Sequence, residues 1–130
     1  MLSSHTPVAT LPTKDLAKAR SFYEGTLGLT ASREDIGGVA YACGSGQLFV
    51  YESAYAGTNQ ATSVTFDMSD PSEFDGEVAD LRAKGIDFLE FEGPYGVEWN
   101  DGVASMVGMG RGVWFTDLDG NILNLAAREL

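Results

Sequence analysis

Apolar positions along this chain change period several times, and each change marks an element. Val8-Ala9-Thr10-Leu11-Pro12-Thr13 alternates and predicts a strand, with Pro12, which has no N–H to give a ladder, at its end or at an edge. Leu16, Ala19, Phe22/Tyr23 and Leu27 then recur at helical spacing, behind Asp15 as N-cap and before Gly28 as a left-handed stop. Segments 30–35, 39–43 and 47–52, punctuated by Gly37-Gly38 and Gly44-Ser45-Gly46, predict a meander of strands.

After a small, polar linker over 54–60 the pattern restarts. Ser63-Val64-Thr65-Phe66-Asp67-Met68 predicts a strand, and Asp70-Pro71-Ser72-Glu73 supplies an N-cap, an N1 proline and an acidic N3. Phe74, Val78 and Leu81 form the next helical stripe, closed by Gly85 and followed by a predicted strand over 86–91. Residues 93–109 are irregular and glycine-rich, with one short strand expected over 103–107. The chain ends on a predicted β-hairpin, 114–125, whose Asp119-Gly120 suits a type I′ turn. The strand after that turn sets Ile122, Asn124 and Ala126 on one face and Leu123 and Leu125 on the other.

The two halves superimpose. Residues 8–15 match 63–70, each with an Asp capping a helix that ends in glycine, and Gly46-Gln47-Leu48-Phe49-Val50-Tyr51 matches Gly120-Asn121-Ile122-Leu123-Asn124-Leu125. A sheet with one helix per half needs its partner half to complete a core.

Asp15-Leu16, Ala19, Phe22-Tyr23 and Leu27-Gly28-Leu29 resemble the "DLxxAxxFYxxxLGL" opening of the vicinal oxygen chelate superfamily, the group of glyoxalase I, extradiol dioxygenases, fosfomycin-resistance enzymes and bleomycin-resistance proteins. Phe115-Thr116-Asp117-Leu118-Asp119-Gly120-Asn121 resembles its closing "FxDPDGN", with Leu118 in place of the usual proline. The resemblance implies an α+β fold of two tandem βαβββ modules forming a cupped mixed sheet, usually a homodimer. Residues 1–130 are then one domain, with modules over 6–53 and 61–130.

Metal-using members of that superfamily carry ligands on the first and last strands of each module. Those positions fall here on Val8, Val50, Ser63 and Asn124. A transition ion wants imidazole, carboxylate or thiolate, which none of the four supplies, so no metal and no cofactor is expected. The single histidine, His5, lies in a terminus expected to fray.

Period-two counting on this frame assigns Ala9, Leu11, Phe49, Tyr51, Val64, Phe66, Leu123 and Leu125 to the helix-packed faces. It assigns Val8, Thr10, Leu48, Val50, Ser63, Thr65, Ile122 and Asn124 to a cup suited to a small molecule. Glu52 and Asp67 share that parity, each either a general base or counter-ion or a solvated strand-end residue. Tyr95, Trp99 and Trp114 offer either flat walls for an aromatic or cationic guest or ordinary anchors.

Composition narrows the function. A net charge of -11 argues against nucleic acid, and it either favours cationic ligands by long-range attraction or serves solubility alone. No apolar run reaches the roughly 20 residues of a spanning helix, so no membrane partner is expected. The start has no basic n-region or apolar h-region, which with one cysteine, Cys43, fits a reducing cytoplasm. Cys43 sits in an apolar alternating run and reads as a small buried hydrophobe. The expectation is a metal-independent small-molecule-binding protein, of the type that sequesters an antibiotic or toxin. The competing class is a glyoxalase- or dioxygenase-like lyase, oxygenase or isomerase using Glu52 or Asp67.

Overall fold

The computed structural model describes residues 1, 3, 7–92 and 96–128, so His5 and Tyr95 lie outside the described residues. It contains two compact units, Met1–Ser63 with Asp117–Asn121, and Val64–Thr116 with Ile122–Leu130.

In the first unit, strands β1 (Ala9–Thr13), β2 (Thr30–Asp35), β3 (Gly38–Cys43) and β4 (Gly46–Glu52) form a sheet ordered β1-β4-β3-β2, with β1 parallel to β4. Helix α1 (Leu16–Arg20) begins where the Asp15 side chain accepts from the Lys18 N–H at 3.1 Å. It runs directly into a π-helical turn, Ser21–Thr26, where Leu27 N–H reaches back to Phe22 O (2.9 Å). The single helix predicted from the stripe is therefore two, and both Phe22 and Tyr23 are buried. Tyr23 stacks on Tyr41 at 5.8 Å between ring centroids, and Leu11, Val39, Leu48 and Val50 are buried in the same unit.

In the second unit, β5 (Thr62–Asp67), whose first two residues belong to the first unit, is followed by a 3₁₀ turn (Pro71–Glu73) and helix α2 (Phe74–Ala83). Asp70 caps this segment through the Ser72 N–H and hydroxyl (3.0 and 2.6 Å). Strands β6 (Glu98–Asn100), β7 (Val103–Met106), β8 (Gly110–Thr116) and β9 (Ile122–Arg128) complete a sheet ordered β5-β9-β8-β7-β6. Phe74, Val78, Val113 and Ala127 form its core, with Met68, Phe88, Val103 and Leu125 packed against them. Arg111 lies 4.6 Å over the Phe74 ring and pairs with Asp75.

The architecture is the mixed α+β arrangement that the repeat predicts, with three local differences. Segment 86–91 is not a strand: β7 pairs with the Gly110–Gly112 end of β8, and the segment meets that strand further along through the Leu89 N–H, which donates to Trp114 O (2.8 Å). The glycine-rich stretch instead holds two strands, β6 and β7, so the second sheet has one strand more than a βαβββ module. The closing turn is not type I′. Asp119 does not have the positive φ such a turn requires; only Gly120 does (φ 80°). A five-residue loop, Asp117–Asn121, takes its place, and the Asp117 carboxylate shapes it by accepting the Asp119 and Asn121 N–H groups at 2.9 Å each.

Candidate functional site

Pairing across the second sheet decides which side chains meet. Trp114 faces Asn124, Gly112 faces both Ala126 and Ala104, and Met106 faces Gly110, all on the side opposite Val113, Phe115 and Leu123. On this open side Thr65, Met106, Met109, Gly112, Trp114, Asn124, Ala126 and Arg128 line a cavity of about 470 Å³. The glycine is essential to its shape. A methyl group at Gly112 would stand 3.3 Å from Asn124 Nδ2 and 3.3 Å from two indole carbons of Trp114. With hydrogen there, the indole and the carboxamide both lie close over β8.

Trp114 belongs to a three-ring cluster. Its centroid is 5.0 Å from Phe91 and 6.0 Å from Trp99, and Phe91 and Trp99 are 5.1 Å apart, all edge to face. Sequence reasoning missed Phe91, because it placed 86–91 in a strand of its own. The signal available was an aromatic residue at the mouth of the glycine-rich segment, followed at short range by Trp99.

Asn124 is 6% exposed, and its Nδ2 donates to Val113 O at 3.1 Å and, more weakly, to Leu125 O at 3.4 Å. Of the two arginines at the cavity, Arg128 pairs with Asp67 (3.2 Å), while the Arg111 guanidinium lies over Phe74 on the other side of the sheet. In a second recess, lined by Arg82, Asp87, Phe88, Glu90 and Asp101, the cation is engaged within the wall: Arg82 bonds Asp101 O and lies 5.3 Å over the Phe88 ring.

The first sheet corrects the face assignment made by period-two counting. Parallel pairing of β1 with β4 sets Leu48 beside Ala9, Phe49 beside Thr10, Val50 beside Leu11 and Tyr51 beside Pro12. Leu48 and Val50, expected in the cup, are therefore in the core (3% and 1% exposed), and Phe49 and Tyr51 occupy the open face. A shift of one residue in strand phase exchanges every side chain between faces. The rings find room because Gly38 lies under Phe49, where a Cβ would collide with the ring tip. They stack 6.3 Å apart, with Arg33 5.9 Å over Phe49.

The remaining candidates separate. Thr65, Trp114 and Asn124 share the cavity, whereas Ile122, on the same face, pairs with Thr116 beyond it. Val8 and Thr10 are exposed on the first unit, and Ser63 accepts a 2.6 Å hydrogen bond from Asn59. Glu52 pairs with Thr13, so its parity is that of the core face, and it borders a shallow recess with Lys14, Ser53 and Ala54. Asp67 is held by Arg128. Cys43 is half-buried, and burial pushes its thiol up, away from the thiolate a nucleophile needs.

The donor set does not fit the superfamily's metal. Phe49, not Val50, shares the open face of the first sheet with Thr10, and neither coordinates an ion. Val8 offers no donor, and Ser63 and Asn124 are neutral oxygens, the latter with its amide nitrogen engaged. Among the described residues no three His, Cys, Asp or Glu side chains converge.

A sequence model of the Glyoxalase/Bleomycin resistance protein/Dioxygenase superfamily matches residues 5–125. No curated protein sequence matches the chain. Among solved structures, a mutant of the fosfomycin resistance protein FosX from Listeria monocytogenes, complexed with Mn(II) and 1S,2S-dihydroxypropylphosphonic acid, is similar at a TM-score of 0.72 and 18% identity, over 100% of this chain and 94% of that one. The bleomycin resistance determinant encoded on transposon Tn5 is similar at a TM-score of 0.70 and 22% identity, over 97% of this chain and 99% of that one. A glyoxalase/bleomycin resistance protein/dioxygenase from Nocardioides gives a TM-score of 0.72 and 21% identity, over 95% and 83%. At these identities the likeness is one of fold.

Proposed function

Given that the chain belongs to the Glyoxalase/Bleomycin resistance protein/Dioxygenase superfamily, we propose that it binds a small organic molecule without a metal ion and holds it rather than converting it. The observation that carries this reading is the replacement of every position from which the superfamily draws a ligand: Val8, Phe49 (or Val50), Ser63 and Asn124 supply no imidazole, carboxylate or thiolate. What remains at Asn124 is a concave, mostly apolar surface with a few placed polar groups, the usual character of a site that recognises by shape. Trp114 supplies a flat wall, and the acidic balance of the chain attracts cationic guests. Antibiotic or toxin sequestration is the role this chemistry serves, in a homodimer as the family resemblance implies.

The lyase, oxygenase or isomerase reading draws no support from the geometry. Glu52 lies on the core-face parity of its strand, and Asp67 is committed to Arg128. A thermal-shift screen with bleomycin-type antibiotics, aromatic cations and 2-oxo-thiol adducts tests the proposal. A saturable rise in Tm in the presence of EDTA, with the compound recovered unchanged, is the expected result. Turnover of any of these compounds, or a shift that EDTA abolishes, would contradict it. Light scattering at micromolar concentration checks the dimer.

A further inference from the structure

We propose that Asn124 is a fixed hydrogen-bond acceptor that selects flat aromatic cations bearing exocyclic amino N–H donors, an inference that rests on the small-molecule reading above. The orientation of the carboxamide follows from its surroundings. Two backbone carbonyls, Val113 O and Leu125 O, stand at 3.1 and 3.4 Å from one end of it, and only an amide nitrogen satisfies a carbonyl. The other end is therefore Oδ1, and among the described residues no group donates to it. No buried side-chain oxygen or nitrogen among those residues lacks a partner, so Oδ1 must reach open space. With the residue 94% enclosed (6% exposed), that space is the cavity it lines.

The neighbours leave this acceptor to a ligand. The indole of Trp114 lies beside it over Gly112, where an added Cβ would stand 3.3 Å from both side chains. Arg128, at the rim, is neutralised by Asp67. A ring system lying on the indole brings an exocyclic amino group to Oδ1, and the net charge of -11 favours the cationic form of such a molecule. A guest whose amino groups are fully alkylated leaves the acceptor desolvated and unpaired, a loss of about tenfold in affinity.

Proflavine and acridine orange test this directly. Both are flat tricyclic cations, but methylation removes the exocyclic N–H donors from acridine orange. Titrations followed by quenching of tryptophan emission are expected to show proflavine binding at least about tenfold more tightly to the unaltered protein. Asn124→Leu is expected to bring the two dyes within about twofold by weakening proflavine alone, acridine orange serving as the control for an intact cavity. Should that variant fail to fold, the ratio in the unaltered protein decides. Equal affinities, or a preference for acridine orange, would overturn the proposal while leaving small-molecule binding intact. Binding of neither dye would overturn it as well, and failure of the wider thermal-shift screen in addition would overturn the binding reading itself.

Discussion

Tyr23 and Asp117 stand 94 positions apart, and the phenol donates a 2.8 Å hydrogen bond to the buried Asp117 carboxylate. The same carboxylate accepts from Asn121 Nδ2 (2.8 Å) and from the Asp119 and Asn121 N–H groups (2.9 Å each). Asn121 Nδ2 also reaches Pro12 O (2.9 Å), and Asp119 Oδ1 receives the Lys14 N–H (2.8 Å). The Asp-Leu-Asp-Gly-Asn segment therefore ties the closing turn to the first strand and helix of the first unit. Asp117→Ala strands four donors at once and is expected to cost about 3 kcal/mol, against about 1 kcal/mol for Tyr23→Phe, read from urea midpoints. Equal, small losses for both would show that the turn holds by other means.

Alkaline pH probes the same pair. Burial first, and then the Asp117 charge, push the Tyr23 phenol well above its ordinary value of 10.0. The folded state thus holds a proton that the unfolded chain releases. This contribution is whole below pH 10 and lost as pH rises toward the folded value. Tyr23→Phe is expected to flatten the fall in Tm above pH 10; an unchanged profile would contradict the coupling.

Acid acts through Glu24, whose carboxylate accepts from Arg20 Nε (2.6 Å) and from the Tyr41 hydroxyl (2.9 Å). Arg20 chiefly, then Tyr41, hold it below its ordinary value of 4.5. Because the folded value is the lower one, its stabilising effect is present above pH 4.5 and lost as pH falls through the folded value. Glu24→Gln is expected to be less stable than the unaltered chain at pH 7 and to converge with it in acid. Parallel curves would show that the ion pair contributes nothing, the common result for exposed pairs.

Gly112→Ala inserts a methyl group against Trp114 and Asn124. The expected stability cost is about 1 kcal/mol, with a shift in tryptophan emission and weaker ligand binding. Gly38→Ala, which displaces Phe49 in the other unit, is expected to cost a similar amount and leave ligand affinity unchanged. Loss of binding in Gly38→Ala and not in Gly112→Ala would move the site to the first sheet.

The repeat, both N-caps and the helical stripes were legible because they rest on local chemistry: Asp15 and Asp70 can satisfy helix N–H groups wherever the chain runs. In the second sheet the alternation of Leu123, Asn124 and Leu125 also settled the faces, since a leucine-flanked asparagine has one sensible phase. The first sheet was not legible in this way. Leu48-Phe49-Val50-Tyr51 is apolar on both faces, and only the register with β1 and the missing side chain of Gly38 decide which pair is covered. The turn misled for a related reason. Asp119-Gly120 resembles a two-residue hairpin until the side chain of Asp117, already paired with Tyr23, builds a longer loop. Phe91 joined the tryptophans through a tertiary contact, of which its nearness to Trp99 along the chain was the local sign.

The most direct test of metal independence is the metal content of the protein itself. Protein prepared without a histidine tag, dialysed to equilibrium against micromolar manganese, zinc, nickel and iron and assayed by elemental analysis, is expected to carry far less than one ion per chain. It is expected to bind its ligand equally well before and after chelation. One tightly held ion per chain, lost together with ligand binding on Asn124→Leu, would contradict the account.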